Sequence, residues 1–228
     1  MGPLLAVALA LLGGCPQTAP GHDDEPLDAG SDGPETETDA DRDAPDGDGE
    51  RDADEDPPAC GYPGSGYGLV EGTVLAPFDL WDCEGQRTSL PELWCGSRVT
   101  IIHFSTGWCT FCEQAAESLV DIVLEPLAGE PVAAFEVFFE NDPGEVATTA
   151  DCGEWQARLA GALPTYVPPD ARLAGALADL TEAVTPPVAI VLDATGEIRM
   201  WDRIGAPQFI EENMQELLRT VERILEEP

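Results

Sequence analysis

"HFSTGWCTFCEQAAESL", residues 103–119, sets Cys109 and Cys112 three positions apart, with Trp108 directly before the first. Upstream, "RVTIIHF" (Arg98 to Phe104) is a β-branched run bounded by Cys95-Gly96-Ser97 and Gly107, which predicts a buried central strand. Downstream, Ala115, Ala116, Leu119, Val120 and Val123 recur at three- and four-residue steps, predicting a helix from Thr110 to Leu124 that Pro126 ends. Cys109 thus closes the loop between strand and helix. Its sulfur is expected near the unpaired N–H groups and the positive end of the helix dipole, which favour a thiolate. Cys112 follows one turn later on the same face, placed to attack a mixed disulfide formed at Cys109. The spacing predicts a reactive dithiol, with Cys109 as nucleophile, Cys112 as resolving thiol and Trp108 as an apolar platform for a substrate polypeptide.

Outward from this segment the pattern alternates strands and helices. "APFDLWDCEGQRTSL" has alternating apolar positions around Asp82-Cys83-Glu84-Gly85, a hairpin signal. "VAAFEVFFE" (Val132 to Glu140) predicts the next strand, and "EWQARLAGAL" and "ARLAGALADL" predict two helices. "TPPVAIVLDATGEIRMWDRIG" reads as two strands joined at Ala194-Thr195-Gly196. In the last segment Ile210, Met214, Leu217, Leu218, Val221, Ile224 and Leu225 share one face of an amphipathic helix. The order implies an α/β fold, a mixed central sheet with helices on both faces.

Composition sets the surroundings. The 228 residues carry 45 acidic and 10 basic side chains, every basic one an arginine, for a net charge of −35. Such a field repels phosphate backbones and anionic membrane surfaces, which excludes nucleic acid as a direct partner. Residues 16–59 hold 17 of the acidic residues, no aromatic residue and a single large aliphatic, Leu27. That composition predicts a disordered, self-repelling linker. Ahead of it, "MGPLLAVALALLGGC" has an apolar run from Leu4 to Leu12, too short to span a membrane but suited to a signal peptide. Leu12-Gly13-Gly14-Cys15 resembles the bacterial lipobox, which implies lipidation of Cys15 and an exported, membrane-anchored protein facing the periplasm or cell envelope. The expected organisation is a signal peptide over 1–15, the linker over 16–59 and one globular domain over 60–228.

The segment "FSTGWCTFCEQAAESL" resembles the active-site region of the thioredoxin-like superfamily, closest to its exported TlpA-like or redoxin branch. The resemblance extends over most of residues 60–228, with "APFDLWDCEGQRTSLPEL" similar to the N-terminal β-hairpin extension of that branch. It implies a thioredoxin-like fold and a thiol-disulfide oxidoreductase acting on exported proteins, with no cofactor and no bound metal. "TPPVAIVLDATGEI" resembles the family's cis-proline segment, which assigns the cis position to Pro187 and a substrate-binding role to Pro186 and Pro187. His103 stands six residues before Cys109, where family members often carry a buried Asp or Asn, and is expected to relay the proton of Cys112. Thr110-Phe111 lacks the proline common in reducing members, so the redox direction stays open. The implied partners are exported protein thiols or disulfides and a membrane electron donor or acceptor, met by a monomer.

Six cysteines remain after Cys15, and in an exported chain an even set favours disulfides. Cys60, Cys83, Cys95 and Cys152 allow three pairings. Joining Cys83 to Cys95 ties the extension to the core and leaves Cys60–Cys152, and this is the pairing expected. Other functions stay in view. Thr106, three residues before Cys109, matches part of a peroxiredoxin pattern, although Ile102 occupies its proline position. Soft thiolates also suit Cu(I), but no histidine follows His103. The remaining alternative is a scaffold whose Cys109–Cys112 disulfide is only structural.

Overall fold

The computed structural model describes residues 63–182 and 185–228. The signal peptide, the acidic linker, Cys15 and Cys60 lie outside the described residues. Seven strands form one mixed sheet in the order β2-β1-β5-β4-β3-β6-β7. The strands are β1 (Asp79–Asp82), β2 (Arg87–Ser89), β3 (Val99–Thr106), β4 (Val132–Glu140), β5 (Thr165–Val167), β6 (Val188–Asp193) and β7 (Ile198–Arg203). The helices are α1 (Leu90–Trp94), α2 (Cys112–Ser118), α3 (Thr149–Arg158), α4 (Ala171–Glu182) and α5 (Pro207–Glu226), with a π-helical segment at Leu119–Leu124. No helix among the described residues is long and apolar enough to cross a membrane.

β3 is central because its side chains are apolar on both sides, and all eight of its residues are buried. It pairs in parallel with β4 and antiparallel with β6. Ile102 and Phe104 project into one apolar cluster, with Leu90 and Trp94 of α1 and Leu177 of α4. Val99 and Ile101 project into the other, which α2, α3 and α5 cover. Each large side chain buried this way contributes roughly 1.5–3 kcal/mol. The expected terminal helix is α5, and its buried face is Ile210, Met214, Leu217, Thr220, Val221 and Ile224, with Leu218 and Leu225 packed at the margin.

Several elements differ from the sequence expectation, among them α1, which was not expected. The helix expected over 110–124 is α2 followed by a wider π-helical turn, in which Glu125 N–H donates to Val120 at 2.9 Å. α3 begins at Thr149, ahead of the expected Glu154, because Thr148 and Asp151 form a capping box. It also ends early, where Ala160 and Gly161 turn left-handed and Gly161 N–H closes on the Gln156 carbonyl at 3.0 Å. β5 was not expected. Its three residues hold β1 to the core, pairing with β4 through Thr165 and Tyr166 and with β1 through Tyr166 and Val167.

The expected cysteine pairing is corrected. Cys83 is bonded to Cys152, with 5.1 Å between their Cα atoms, so neither Cys83–Cys95 nor Cys60–Cys152 forms. The reason is the side of the sheet on which each residue falls. The β1–β5 pairing carries Cys83 to the α3 side, where both sulfurs lie within 3.7 Å of the Thr165 carbonyl oxygen. Cys95 follows α1, which packs on the opposite face, and is itself disulfide-bonded.

Charged groups tie down the C-terminal end. Arg98 donates to the carbonyls of Leu225 and Ile224 at 2.9 and 3.3 Å, satisfying the last turn of α5. Arg199 bridges Asp193 at 3.1 Å and Glu227 at 2.6 Å. Burial pushes the Asp193 carboxyl up, but hydrogen bonds from Thr195, Arg199 and Glu197 outweigh it and hold the group below its ordinary 3.8. The Arg199 hydrogen bond likewise lowers Glu227 from 4.5. Depressed carboxyls stabilise the fold above their ordinary values, and that contribution is lost as pH falls through the folded ones. An Arg199→Met variant should therefore unfold more easily than wild type at neutral pH. The gap should close on acidification below 3.8, as read from urea midpoints against pH.

Candidate functional site

The loop after β3 is pinned before the cysteines begin. Gly107 N–H donates to the Glu140 carbonyl at 2.8 Å, and a Cβ at 107 would overlap the Asn141 carbonyl oxygen. Only glycine permits this approach. Cys109 N–H then donates to the Thr106 carbonyl at 3.2 Å, and Cys112 N–H to the Cys109 carbonyl at 3.4 Å. The helix accordingly starts at Cys112, with Thr110 and Phe111 forming a turn behind Cys109 instead of an immediate helix start.

Cys109 and Cys112 are joined as a disulfide, with 5.5 Å between their Cα atoms. Cys109 is 9% exposed and Cys112 is fully buried. Of the two, only Cys109 keeps any exposure. Trp108 and Phe111, at 38% and 39% exposure, present apolar surface beside it. Trp108 is oriented by its indole N–H, which donates to Glu140 Oε2 at 3.0 Å.

The Pro186-Pro187 peptide is cis and both prolines are buried. Pro187 leads into β6, whose first residue Val188 pairs with Phe104 of β3, and its carbonyl accepts from Ile204 N–H at 2.9 Å. This loop and the cysteine loop thus share one end of the sheet.

His103 is fully buried on β3 and alternates with Ile102 and Phe104, so it faces the side that α2 covers. The partner of its Nδ1, Glu136 Oε2 at 2.6 Å, was not anticipated. The sequence carried no local signal for it. Glu136 is the directly opposed residue on β4, and its other oxygen accepts from the Ser105 hydroxyl and from Trp155 Nε1 at 3.2 Å. Trp155 is held in turn by stacking on Phe138, ring centroids 4.8 Å apart. His103 Nε2 and Thr106 Oγ1 are buried without a partner. Among the described residues, no group of three or more His, Cys, Asp or Glu side chains is placed to hold a metal ion.

A central strand running into a two-cysteine loop and helix, with a cis-proline strand beside it, is a recognisable arrangement. The fold is thioredoxin-like. A protein of Chlorobium tepidum provisionally named the thiol:disulfide interchange protein DsbE superposes with a TM-score of 0.54 at 18% identity, over 69% of this chain and 99% of that one. The thioredoxin domain of a thiol-disulfide oxidoreductase from Bacteroides vulgatus gives 0.50 at 14% identity, over 66% and 99%. Arabidopsis thaliana ScoI, solved with copper bound, gives 0.50 at 14% identity, again over 66% and 99%. No protein-family model matches the sequence, and no curated protein does.

Proposed function

We propose that this protein is a thiol-disulfide oxidoreductase that exchanges disulfides with exported proteins through Cys109 and Cys112. The observation that carries the proposal is the disulfide between a fully buried Cys112 and Cys109, which keeps 9% exposure, at the junction of β3 and α2. In the reducing direction the Cys109 thiolate attacks a client disulfide, one client sulfur leaves as a thiol, and a mixed disulfide remains. The Cys112 sulfur then attacks Cys109, closing the internal disulfide and releasing the second client thiol. The reverse sequence oxidises a client dithiol, and the partner's reduction potential sets which direction runs.

The other residues divide the work. Trp108, with Pro186 and Pro187 at the same end of the sheet, forms the seat for the client chain, and His103 takes the proton of Cys112. The absence of a further histidine in the domain supports this reading over Cu(I) delivery. The test is a thiol count: reduced protein should lose two thiols as a disulfide-bearing client gains two. The Cys109→Ser/Cys112→Ser variant should transfer none.

Export and attachment through Cys15 belong to the same proposal, supported by the Leu4–Leu12 apolar run and Leu12-Gly13-Gly14-Cys15. Residues 16–59 then serve as a spacer between lipid and domain. Wild type should sediment with membranes and Cys15→Ser should not; identical fractionation would remove the anchor.

A further inference from the structure

Glu136 is fully buried in the middle of the sheet. Burying an ion is costly unless its surroundings compensate. Here they do: one carboxylate oxygen accepts from Ser105 and Trp155, the other meets His103 Nδ1 at 2.6 Å. As a carboxylate, Glu136 accepts from Ser105 and the indole N–H of Trp155 on one oxygen and leaves the other to accept from Nδ1–H of His103. The arrangement is fixed by strand register, because His103 and Glu136 are direct partners across β3 and β4.

A carboxylate accepting at Nδ1 keeps the ring proton there and leaves Nε2 as an acceptor. That Nε2 is buried and has no partner. An unpaired buried acceptor is costly, so it calls for a donor. In the disulfide form Cys112 carries no hydrogen on sulfur. Reduction creates one, on a fully buried residue of the helix that covers the His103 face of the sheet.

We infer that Glu136 is a positioning residue which holds His103 Nε2 bare as the acceptor for the Cys112 thiol proton. The inference rests on the proposed exchange at Cys109 and Cys112. In resolution the Cys112 S–H bond breaks and its proton passes to Nε2. The sulfur electron pair forms the Cys112–Cys109 bond, the Cys109–client bond breaks, and its pair departs on the client sulfur. The client thiolate takes up a proton and Nε2 releases the one it accepted, so the dithiol is oxidised by two electrons as the client is reduced. Glu136 balances the imidazolium that forms between these events. β6 sets Ala189 opposite His103, and outside the cysteines Glu136 is the only other buried ionisable side chain among the described residues.

The test separates attack from resolution. Reduced full-length protein is mixed with a peptide carrying one intramolecular disulfide, and the mixed disulfide is followed by acid quench. Glu136→Gln should form it at the wild-type rate and resolve it about 10²-fold more slowly, the lower end of general acid–base effects. His103→Asn should lose as much, and the double variant no more than His103→Asn alone. Losses that multiply in the double variant, or unchanged resolution in Glu136→Gln, overturn the inference. Absence of any mixed disulfide, even with Cys112→Ser, overturns the exchange reading and this inference with it. If Glu136→Gln fails to fold, the reduced wild type decides by ¹⁵N resonance of its 2 histidines. A His103 ring bare at Nε2 supports the inference, and one protonated there overturns it.

Discussion

Replacing Cys112 with serine will turn the protein into a trap, accumulating client proteins in mixed disulfides that non-reducing gels resolve. The reason is the unequal access of the two sulfurs: Cys109 keeps 9% exposure and Cys112 has none. An incoming client disulfide can be attacked only from Cys109, and with Cys112 gone no sulfur remains to release the product. Cys109 also sits in the turn that opens α2 and the π-helical segment behind it, where backbone N–H groups favour a thiolate. Cys109→Ser should trap roughly tenfold less or nothing, since its remaining thiol is enclosed. In the reduced wild type, alkylation at neutral pH should reach Cys109 first. Equal trapping by the two variants, or prior alkylation of Cys112, would contradict the assignment.

Removing the second disulfide should cost stability and leave exchange intact. The Cys83–Cys152 bond closes a loop spanning 69 residues and joins the β1–β2 hairpin to α3. Chain-entropy reasoning gives roughly 4 kcal/mol for a loop of that size, with native-state relaxation reducing it. Cys83→Ala/Cys152→Ala should therefore lower the unfolding free energy in urea by up to about 4 kcal/mol. Its thiol transfer through Cys109 should persist wherever the domain is folded. Cys83→Ala alone should expose one new thiol on denaturation, at Cys152. A new thiol at Cys95 would restore the pairing that the fold argues against.

Legibility in the sequence followed how local each signal was. β3 and β4 were readable because long β-branched or aromatic runs leave few other conformations, and β4 matches the expected Val132–Glu140. The cysteine loop and α5 were readable for the same reason, one from spacing and one from periodicity. The start of α3 was written in Thr148 and Asp151, a capping-box spacing that the periodicity of the later residues outweighed. β5 has three residues, too few for any period, and exists through its two neighbours. Disulfide pairing depends on which face of the sheet each cysteine reaches, and spacing along the chain says nothing of that. Glu136 was hidden most deeply. A lone acid in a strand ordinarily points to solvent, and only the register with His103 and coverage by α3 turn it inward.

The central claim is that Cys109–Cys112 is a working redox couple and Cys83–Cys152 is a staple. Equilibrating the protein against graded thiol–disulfide buffers, then alkylating and mapping each cysteine, measures both potentials in one experiment. The account predicts that Cys109–Cys112 is half-reduced between about −120 and −270 mV, the range of exchanging dithiols, while Cys83–Cys152 stays oxidised throughout. A Cys109–Cys112 disulfide that stays closed below about −300 mV, as structural bridges do, would contradict it.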